Sequence, residues 1–436
     1  MDGRAVVIGA GIGGLAAARV LSKRYASVTV LDRDTLPAGG EPRRGVPQGR
    51  HGHILLISGL RVLAELFPGL EDELIASGAT RVDIGSGLCM WQYGRRRDAT
   101  RIGLELASVS RPHLEAVIRG RVVQEPRVTI REAAAVTALS GSGQRVTGVV
   151  LDTGETVPAD IVVDCSGRGG HSDKWLTALG HPAPRQVEIK IGVGYSSRIY
   201  RRRPGDLEGW QAALVLPEPP HEKWIGGALP IEGDRWLVSA GGWHIDPVPS
   251  DNAALEAHAK SLPDPIVADL MAQAEPLTDA IPHRFASSRR RYFEEVERPP
   301  AGYLALGDVV CSFNPIYGQG MTVAAMAAVA LGAALERHDA ATADTARDYY
   351  QAVAELVAVP WQFAVGGDFA HPETTGPRPP SNRLTNWYVK RLGIAAQTRP
   401  KLTRAFSEVQ QLLAPPKVLF RPSVVAASLL HGGRKS

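Results

Sequence analysis

The sequence predicts an α/β protein in which a doubly wound domain is interrupted by a β-rich domain and followed by a helical region. Residues 5–32 have the pattern of a strand, a glycine-rich turn, an Ala-rich helix and a second strand. Residues 185–283 contain β-type segments broken by Pro and Gly, and helical periodicity dominates from residue 342 onward. We therefore predict three units, with these ranges: 1–75, 101–184 and 284–341 for the doubly wound domain, 76–100 and 185–283 for the β-rich domain, and 342–436 for the helical region.

The first unit carries a glycine motif that is typical of dinucleotide-binding folds. Gly9, Gly11 and Gly14 form GxGxxG directly after the first strand, and Asp32 follows the second strand, 23 residues after Gly9. In a Rossmann-type unit the first glycine allows the tight turn, the second admits a pyrophosphate, and the third lets helix and strand pack closely. The helix N-terminus then faces the phosphates, and Asp32 is predicted to accept hydrogen bonds from the adenosine ribose.

The remaining elements are predicted from hydrophobic spacing. An uncharged stretch of fifteen residues, 321–335, is predicted to be a buried helix, because it is too short to span a hydrocarbon core of roughly 30 Å. Helical spacing also predicts helices over residues 54–67 and 111–123. Apolar segments predict a sheet laid onto the first unit, from residues 128–130, 134–139, 146–151 and 161–164. The β-rich domain is predicted to contain strands over residues 187–200, 212–215 and 235–240.

Composition and charge exclude several classes of protein. With 436 residues, of which 44% are hydrophobic and 22% charged, the chain can bury more than one core. Its 49 basic and 45 acidic residues form no block of like charges, so nucleic acid is not expected as a partner. The N-terminus lacks the basic region and cleavage site of a signal peptide, and no stable membrane insertion is expected. The apolar run over residues 417–433 is predicted to be a packed helix, with a lid or a weak membrane contact as alternatives.

The cysteines and histidines give no sign of a metal or a disulfide. Cys89, Cys165 and Cys311 lie far apart without a CxxC pair, so neither a disulfide framework, a zinc site nor a dithiol centre is predicted. A reducing cytoplasm is the expected compartment. His51 and His53 form an HxH pair without a third ligand, and we predict hydrogen-bonding or structural histidines there.

A second signature lies far downstream and carries a resemblance to a known family. Gly307 and Asp308 end the segment YLALGD, and the segment FNPIYGQGM follows at residues 313–321. This pattern resembles the FAD-dependent monooxygenases of the p-hydroxybenzoate hydroxylase type, whose nucleotide domain is of the glutathione-reductase-like (GR2) class. The resemblance implies that Asp308 binds the ribityl chain of FAD. It also implies that the following loop approaches the pyrimidine edge of the flavin, through Pro315, Gly318, Gly320 and Met321.

A third segment narrows the resemblance. The loop RRGVPQGRHGHIL, residues 43–55, is similar to a segment of actinobacterial FAD monooxygenases of the squalene-epoxidase-like type, which include polyene epoxidases of polyether biosynthesis. The similarity runs through most of residues 4–340. It implies that Arg44 lies near the FAD pyrophosphate and that residues 46–48 approach the isoalloxazine. The cofactor contacts that the resemblance implies are Arg33, Arg44, Val46, Gln48, Arg111 and Val136. Arg111 matches the family arginine that reaches from a helix to the FAD phosphates or ribose, and a solvated helix cap is the alternative.

The segment VVDCSGRGGHS resembles the third fingerprint of this family, an Asp-x-x-Gly sequence near the flavin and the reductant. It contains Asp164 and Ser172, but Cys165 and Ser166 replace the commoner residues of the fingerprint. A strand that ends in a glycine-rich turn is the plainer interpretation of the same residues. The role of this segment in docking a reductant therefore stays open.

The resemblance implies an FAD-dependent monooxygenase that epoxidises or hydroxylates a lipophilic secondary metabolite, either a polyketide or a terpenoid. In that family reduced flavin and O2 form a C4a-hydroperoxide, which transfers one oxygen atom. Electrons would come from NAD(P)H directly or from a separate flavin reductase. No catalytic side chain is assigned, and Gln48 is only a candidate for a polar contact with the flavin. Six aromatic residues are predicted to line an apolar substrate pocket, although ordinary core packing is the alternative for each: Trp91, Tyr93, Tyr195, Trp224, Trp243 and Phe313.

Other flavoprotein functions remain as alternatives. A reductase or dehydrogenase of the geranylgeranyl-reductase type would share both FAD signatures, and an accessory protein could bind flavin without oxygen chemistry. The chain has no second GxGxxG for a separate NAD(P)H domain. It also lacks the WxWxIP segment of flavin-dependent halogenases, since GGALPIEGDRW stands at the comparable strand. Enzymes with a separate NAD(P)H domain, such as disulfide reductases and Baeyer-Villiger enzymes, and flavin-dependent halogenases are therefore disfavoured, whereas the reductase and the accessory protein remain as alternatives.

Overall fold

The computed structural model describes residues 2–338, 340–380 and 382–433. The segment HPETTGPRPPSN at residues 371–382 is predicted from its sequence to be a loop, and its Ser381 lies outside these ranges. The strands are β1 Arg4–Ile8, β2 Ser27–Leu31, β3 Thr80–Asp83, β4 Leu88–Gln92, β5 Arg95–Arg96, β6 Glu105–Ser108, β7 Val128–Arg131, β8 Val136–Ser142, β9 Arg145–Leu151, β10 Thr156–Pro158, β11 Ile161–Asp164, β12 Arg185–Arg201, β13 Ala212–Val215, β14 Trp224–Ile231, β15 Arg235–Gly242, β16 Ile281–Tyr292, β17 Tyr303–Ala305 and β18 Cys311–Ser312. The helices are α1 Ile12–Leu21, α2 Ile57–Leu66, α3 Leu70–Ala76, α4 Arg111–Val122, α5 Ser172–Ala178, α6 Asn252–Lys260, α7 Ile266–Gln273, α8 Gly320–His338, α9 Ala343–Asp368, α10 Asn382–Ala396, α11 Pro400–Gln410 and α12 Pro422–His431.

A five-stranded parallel sheet forms the centre of the first unit, with the order β17-β11-β1-β2-β7. Its strands are nearly continuous apolar runs, as is typical of a parallel sheet that is buried on both faces. Helices α1 and α8 pack against each other beside it, and the core contains fully buried residues such as Val7, Leu15 and Leu331. The predicted Rossmann-type unit is confirmed.

One part of the predicted first sheet is wrong. The segments over residues 128–130 and 161–164 do join the parallel sheet, as β7 and β11. Strands β8, β9 and β10 instead form a separate three-stranded antiparallel sheet. The Gly-rich turn between β8 and β9 favours local hairpin pairing, and a hairpin is antiparallel, so these strands pair with each other rather than in parallel with the strands of the first sheet.

The β-rich unit is built on an eight-stranded sheet with the order β18-β16-β12-β15-β14-β13-β4-β5. The long strand β12 pairs with both β15 and β16, and β4 joins the sheet beside β13. Strand β16 crosses the boundary that we predicted between residues 283 and 284, since it runs over Ile281–Tyr292. The division into domains otherwise stays a prediction.

The C-terminal region is helical, as the spacing predicts. Helix α9 begins with a capping box in which Thr342 and Thr345 exchange hydrogen bonds, and it packs against α8. Helices α10, α11 and α12 form a small core of their own that includes Tyr388 and Leu392. This region therefore contacts the first unit through α9 and extends beyond it through α10 to α12.

Helix α8 is the one helix in the described ranges that is long and apolar enough to cross a membrane. Its mean hydropathy reaches 1.3 over its most apolar stretch, and 56% of that stretch is buried within the protein. A core helix meets the same criteria of length and composition. Residues Ala325, Ala328 and Leu331 of α8 are fully buried against neighbouring helices, which agrees with the buried helix predicted here.

Candidate active site

The glycine turn between β1 and α1 leaves an open space above Gly11. Gly9 has a φ of +100°, and a side chain there would meet the Cys165 carbonyl oxygen at 2.7 Å. A Cβ on Gly14 would lie 1.8 Å from the Gly9 oxygen, so both positions require glycine. A Cβ on Gly11 would meet nothing closer than 3.9 Å, and its nearest neighbours include the Nη2 atoms of Arg43 and Arg111. Two guanidinium groups thus flank an uncapped helix N-terminus, which fits an anionic pyrophosphate.

Two buried polar atoms beside this space have no partner. They are Nε of Arg111 and Oε2 of Glu115, both of which are shielded from solvent. Buried polar atoms are nearly always hydrogen-bonded in folded proteins, so such a pair indicates that a polar ligand belongs here. The residues around Gly11 therefore fit the phosphates and ribose of a dinucleotide.

Asp32 follows β2, as predicted, but it is already engaged by the protein. Its carboxylate accepts hydrogen bonds from the backbone nitrogens of Ala10 at 2.7 Å and Asp34 at 2.9 Å. Arg43 Nη1 contacts both Asp32 oxygens, at 3.0 and 3.1 Å, and Arg43 Nε donates to Glu115 at 2.7 Å. Burial lowers the pKa of Arg43, but Glu115 and Asp32 outweigh it and raise that pKa above its ordinary value. Ribose hydroxyls would therefore have to share Asp32 with Arg43.

Arg43 is the arginine that the sequence reasoning missed. The side chains of Arg44 and Arg33, which were predicted to contact FAD, are exposed, and neither has a hydrogen bond or ion pair within the described ranges. The signal was present as the doublet Arg43-Arg44, but spacing alone does not tell which of two adjacent side chains turns inward. The predicted contacts of Arg33 and Arg44 with FAD remain predictions.

The other predicted contacts in this part of the chain are Val46, Gln48 and Val136. Val46 lines a small cleft together with Arg43 and Arg111. Gln48 is half-buried in the 3₁₀ turn Pro47–Arg50. Val136 begins β8, and the chain that leads to it is held beside Asp32 by a backbone hydrogen bond from Ala134 to Asp32. Val46 and the segment before Val136 therefore lie near Arg43 and Asp32, and the predicted contact of Gln48 with the flavin remains a prediction.

Asp308 lies on a 3₁₀ turn, Gly307–Val309, directly after β17. Burial raises the pKa of this carboxyl above its ordinary value, although Arg111, Arg168 and Arg289 oppose the shift. Among the residues that the structure describes, no hydrogen bond to the Asp308 carboxylate is recorded. A Cβ on Gly320 at the start of α8 would stand 3.6 Å from Asp308 Oδ1. A free carboxylate in this position fits the hydroxyl groups of a ribityl chain.

The loop after Asp308 is held in a shape that requires glycine. Pro315 begins a 3₁₀ turn, Pro315–Tyr317, and Gly318 follows with a φ of +67°. A side chain on Gly318 would approach the Ile54 carbonyl oxygen at 3.1 Å. Met321 is buried in the first turn of α8. The loop and the N-terminus of α8 therefore converge from one side on the region of Asp308.

The Asp164 carboxylate is fully occupied by internal hydrogen bonds. It accepts from Ser172 Oγ at 2.6 Å, from the Tyr303 hydroxyl at 2.9 Å and from the Ser166 nitrogen at 2.9 Å. Its side chain is 0% exposed. These hydrogen bonds of Asp164 join β11, β17 and α5, so they give the residue a structural role. Its predicted closeness to the reductant remains a prediction.

A cavity of about 710 Å³ lies between the large sheet, the loop after Asp308 and the C-terminal helices. Most of its wall is apolar, which suits a lipophilic molecule. The large sheet, the loop and the helices each supply apolar side chains to this wall, which include Met90, Leu214, Leu229, Ile316, Phe363 and Phe406. Residues 315–319 form part of the wall, so the cavity reaches the predicted flavin loop.

Three of the six predicted aromatic residues lie on the cavity wall, namely Tyr93, Tyr195 and Trp243. The other three do not line it. Trp91 packs on the opposite face of the sheet from Met90, because neighbouring side chains of a strand point to opposite faces. Trp224 is 39% exposed and meets His258 edge-on, with ring centroids 4.7 Å apart. Phe313 is buried in the first core.

The part of the wall from α9, α10 and α11 was not predicted. Sequence spacing shows that these segments are helices, but not which earlier elements they cover. Phe363 of α9 and Phe406 of α11 face the cavity, as do the amide side chains of Gln410 and Gln411. The apolar spacing within each helix predicts which side of the helix is buried, but it does not predict which other element covers that side.

A buried carboxylate joins three parts of the molecule beside the cavity. Asp368, at the end of α9, accepts hydrogen bonds from Trp243 Nε1 at 2.9 Å and Asn314 Nδ2 at 2.7 Å. Its second oxygen, Oδ2, is buried without a partner. Burial raises the pKa of Asp368 to about 6, although hydrogen bonds from Trp243, Asn314 and Tyr317 oppose the shift. Asp368 therefore ties α9 to the flavin loop and to the β-rich unit.

The predicted structural histidines form hydrogen bonds rather than a cluster of ligands. His51 Nδ1 lies 2.9 Å from Ser197 Oγ, which lies 2.6 Å from Ser239 Oγ on the cavity wall. Burial lowers the pKa of His51 to about 3, and it lowers that of His53 to about 3 as well. Both imidazoles are therefore neutral at physiological pH. Within residues 2–338, 340–380 and 382–433, no group of three or more metal-ligating side chains is found.

Comparison with known proteins agrees with this geometry. Residues 5–171 match the family model described as FAD dependent oxidoreductase. Protein Rv3254 of Mycobacterium tuberculosis is 35% identical over 453 residues, which cover 98% of this chain and 94% of that protein. The structure of PqsL, a probable FAD-dependent monooxygenase from Pseudomonas aeruginosa, is 17% identical with a TM-score of 0.62, and the match covers 85% of this chain and 98% of PqsL.

A flavin-dependent brominase, a triple mutant of Bmp2, shares the same architecture. It is 15% identical with a TM-score of 0.67, and the match covers 97% of this chain and 98% of the brominase. Likeness at these identities shows the fold, which is the FAD-binding α/β fold of the p-hydroxybenzoate hydroxylase type with its β-rich sheet and C-terminal helices. The chain belongs to the same family as Protein Rv3254 and is an FAD-dependent oxidoreductase.

Proposed function

We propose that this oxidoreductase is a monooxygenase that uses FAD, O2 and a reductant to epoxidise or hydroxylate a lipophilic metabolite of the polyketide or terpenoid class. One observation carries the proposal. The apolar cavity of about 710 Å³ is bounded by residues 315–319, the loop that follows Asp308. A lipophilic substrate in this cavity would therefore lie beside the loop that is expected to contact the flavin.

The chain's own residues fit the two halves of FAD. Arg43 and Arg111 flank the space above Gly11, where the pyrophosphate would lie. The unpaired carboxylate of Asp308 is placed to accept the ribityl hydroxyl groups. Bound FAD would supply the electron transfer and the activation of O2.

The cavity wall would orient the substrate and exclude water. Its apolar side chains favour a hydrocarbon chain, and Tyr93, Tyr195 and Ser239 provide a few polar groups. Burial raises the pKa of Tyr93 to about 12 and also raises that of Tyr195, so both hydroxyls stay protonated at neutral pH and can donate hydrogen bonds. Epoxidation needs no general base, so these donors are assigned to orientation only.

The source of electrons is part of the proposal. With one GxGxxG available for FAD, NAD(P)H would dock transiently near the flavin or would act through a separate flavin reductase. Anaerobic stopped-flow mixing of the FAD-loaded protein with NADPH, NADH, and NADH plus a free flavin reductase distinguishes these routes. Tight, stoichiometric NADPH binding to the FAD-loaded protein would contradict both.

The experiment that tests the function uses isotopically labelled oxygen. The FAD-loaded protein is incubated under ¹⁸O2 with NADPH and a flavin reductase, with farnesol and geranylgeraniol as terpenoid probes, and the products are examined by mass spectrometry. A monooxygenase incorporates one ¹⁸O atom into a probe. Addition of hydrogen across a double bond without ¹⁸O would instead assign the chain to the geranylgeranyl-reductase type. A flavin that is never reduced or reoxidised in the presence of either probe would favour an accessory protein.

A further inference from the structure

The charge of the chain is strongly uneven along the sequence. Residues 376–436 contain eleven of the 49 Lys and Arg residues but only one of the 45 acidic residues, Glu408. This stretch therefore carries a net charge of +10, whereas residues 1–375 carry −6, and the two together give the +4 of the whole chain. Such asymmetry between parts of a chain indicates a surface that attracts anionic partners.

The same stretch exposes large apolar side chains on elements that pack together. Leu384 and Trp387 of α10 are 70% and 49% exposed, Phe420 is 58% exposed, and Leu429 and Leu430 of α12 are 44% and 78% exposed. These five account for most of the large hydrophobic side chains that are exposed within the described ranges. Single exposed apolar residues are ordinary on protein surfaces, but a group of this kind marks an interaction site.

The elements that carry these five side chains pack against one another, and contacts between them bring several of the residues close together. The Arg391 guanidinium lies over the Trp387 ring at 5.0 Å, and its Nη1 donates to the Leu429 carbonyl oxygen at 3.4 Å. Leu384, Trp387 and Arg391 are spaced three and four residues apart, so they share one face of α10. The Phe420 ring stacks on Tyr388, with centroids 5.2 Å apart. We name this surface, formed by Leu384, Trp387, Phe420, Leu429 and Leu430, the C-terminal apolar face.

Basic side chains without carboxylate partners accompany the C-terminal apolar face. In the part of the chain that the structure describes, no ion pair is recorded for Arg383, Arg391, Lys417 or Arg421. Arg383, Lys417 and Arg421 are exposed. Exposed Trp, Phe and Leu beside unpaired Lys and Arg are the combination that enters the headgroup region of a bilayer containing anionic lipid.

We propose that the C-terminal apolar face docks onto an anionic phospholipid surface. The apolar side chains would enter the interfacial region, while Arg383, Lys417 and Arg421 would contact lipid phosphates. This is peripheral docking and does not require a membrane span. A second copy of the chain fits less well, because pairing two such faces would bring two basic surfaces together.

The position of the cavity gives this docking a role. Trp387 lines the cavity of about 710 Å³ and also belongs to the C-terminal apolar face, and Arg383 and Lys390 of α10 line the cavity too. A lipophilic substrate could therefore pass from the bilayer along α10 into the cavity. This role rests on the proposed function, whereas the docking itself does not.

The test is sedimentation of the FAD-loaded protein with sucrose-loaded vesicles, so its result does not depend on turnover. Vesicles of phosphatidylcholine alone are compared with vesicles that also contain phosphatidylglycerol. We expect the protein to sediment with the anionic vesicles and to be released by high salt, because screening weakens contacts between exposed charges. Two variants should each lower the partition coefficient about tenfold, a factor that corresponds to about 1.4 kcal/mol. They are the double variants Leu384→Ser with Leu430→Ser, and Lys417→Glu with Arg421→Glu.

Matched controls come from other exposed positions. Val329→Ser removes an exposed apolar side chain from α8, and Arg61→Glu reverses an exposed charge on α2, and neither should change sedimentation. A wild-type protein that stays in the supernatant with both kinds of vesicle would overturn the proposal. Unchanged sedimentation of the Leu384 and Leu430 double variant would overturn it as well, because the binding would then be electrostatic only. If sedimentation velocity shows a dimer that this double variant abolishes, and vesicles are not bound, the face belongs to a second copy of the chain. The ¹⁸O2 experiment, done without vesicles, tests the proposed function separately.

Discussion

At the scale of single residues, Asp308 is the carboxylate that we expect to hold the ribityl chain of FAD. The Asp308→Ala variant should bind FAD about tenfold to a hundredfold more weakly, because hydrogen bonds to a charged group contribute about 1.5–3 kcal/mol. The dissociation constant is measured by quenching of flavin fluorescence. Asp152→Ala, at an exposed carboxylate on the surface, is the matched control and should bind FAD normally. Equal affinity of the two variants would refute the assignment of Asp308.

Asp368 gives the protein a pH dependence whose sign can be worked out. Its pKa is about 6 in the folded protein and about 4 in an unfolded chain. The folded state therefore retains the proton longer, and the free energy of unfolding falls as the pH rises from about 4 to about 6. A shift of about two units corresponds to about 2 to 3 kcal/mol. The loss is complete above the folded pKa.

The Asp368→Asn variant tests this dependence, because an amide oxygen can still accept the hydrogen bonds of Trp243 and Asn314 but cannot ionise. Urea unfolding is compared for the wild type and the variant at about pH 5 and about pH 7.5, on either side of the folded pKa. The wild type should lose stability relative to the variant across this interval. If the free energy of unfolding changed with pH in the same way for both proteins, the pKa of Asp368 would be the same in the folded and unfolded states, which would contradict this prediction.

The glycine motif could be predicted from the sequence, whereas the inward position of Arg43 could not. The spacing of Gly9, Gly11, Gly14 and Asp32 predicts a dinucleotide turn because each glycine is required by backbone geometry, and that geometry is local. The choice between Arg43 and Arg44 depends on the carboxylates that reach the loop, and one of them, Glu115, comes from the distant helix α4. Such a choice is made by tertiary contacts and cannot be read from neighbouring residues.

At the scale of elements, the turn before α1 allows two glycine variants with opposite consequences. In Gly11→Ala the new methyl group meets nothing closer than 3.9 Å, so the FAD-free protein should fold normally. It would nevertheless occupy the space of the pyrophosphate, and FAD affinity should fall about tenfold or more, a loss of at least about 1.4 kcal/mol. In Gly14→Ala the methyl group would lie 1.8 Å from the Gly9 oxygen, so the fold itself should be destabilised.

Thermal unfolding of the FAD-free proteins and titration with FAD separate these two effects. Gly11→Ala should keep the wild-type Tm without FAD and lose most of the stabilisation that FAD gives. Gly14→Ala should have a lower Tm already without FAD. If Gly11→Ala bound FAD as tightly as the wild type, the pyrophosphate could not pass over this turn.

The strands and helices were largely predictable, but their partners were predictable only where pairing is local or follows a known unit. The βαβ pattern places β1, α1 and β2 correctly, because the connection between parallel strands has one preferred arrangement. Alternation along β4 could have separated Met90 from Trp91, since Leu88, Met90 and Gln92 share the cavity face. The pairing of β4 with β13, which is distant in sequence, had no signal of its own.

At the scale of the whole molecule, the nucleotide domain, the large sheet and the C-terminal helices surround an apolar cavity. The sequence predicts the first two and the helical nature of the third. It does not predict that α9, α10 and α11 close the cavity. The sequence of an amphipathic helix indicates that one face is buried, but it does not indicate which element packs against that face. In the folded protein, the hydrogen bonds that Asp368 accepts from Trp243 and Asn314 connect α9 to the large sheet and to the loop after Asp308.

The central claim is that FAD lies along the groove from Asp32 to Asp308 and presents its ring to the cavity. A crystal structure of the FAD-loaded protein tests this claim most directly. We expect the pyrophosphate above Gly11 between Arg43 and Arg111, the ribityl hydroxyls on Asp308, and one face of the isoalloxazine ring against the cavity beside residues 315–319. An isoalloxazine ring that is walled off from the cavity, or a cavity filled by the adenosine half of FAD, would contradict the account.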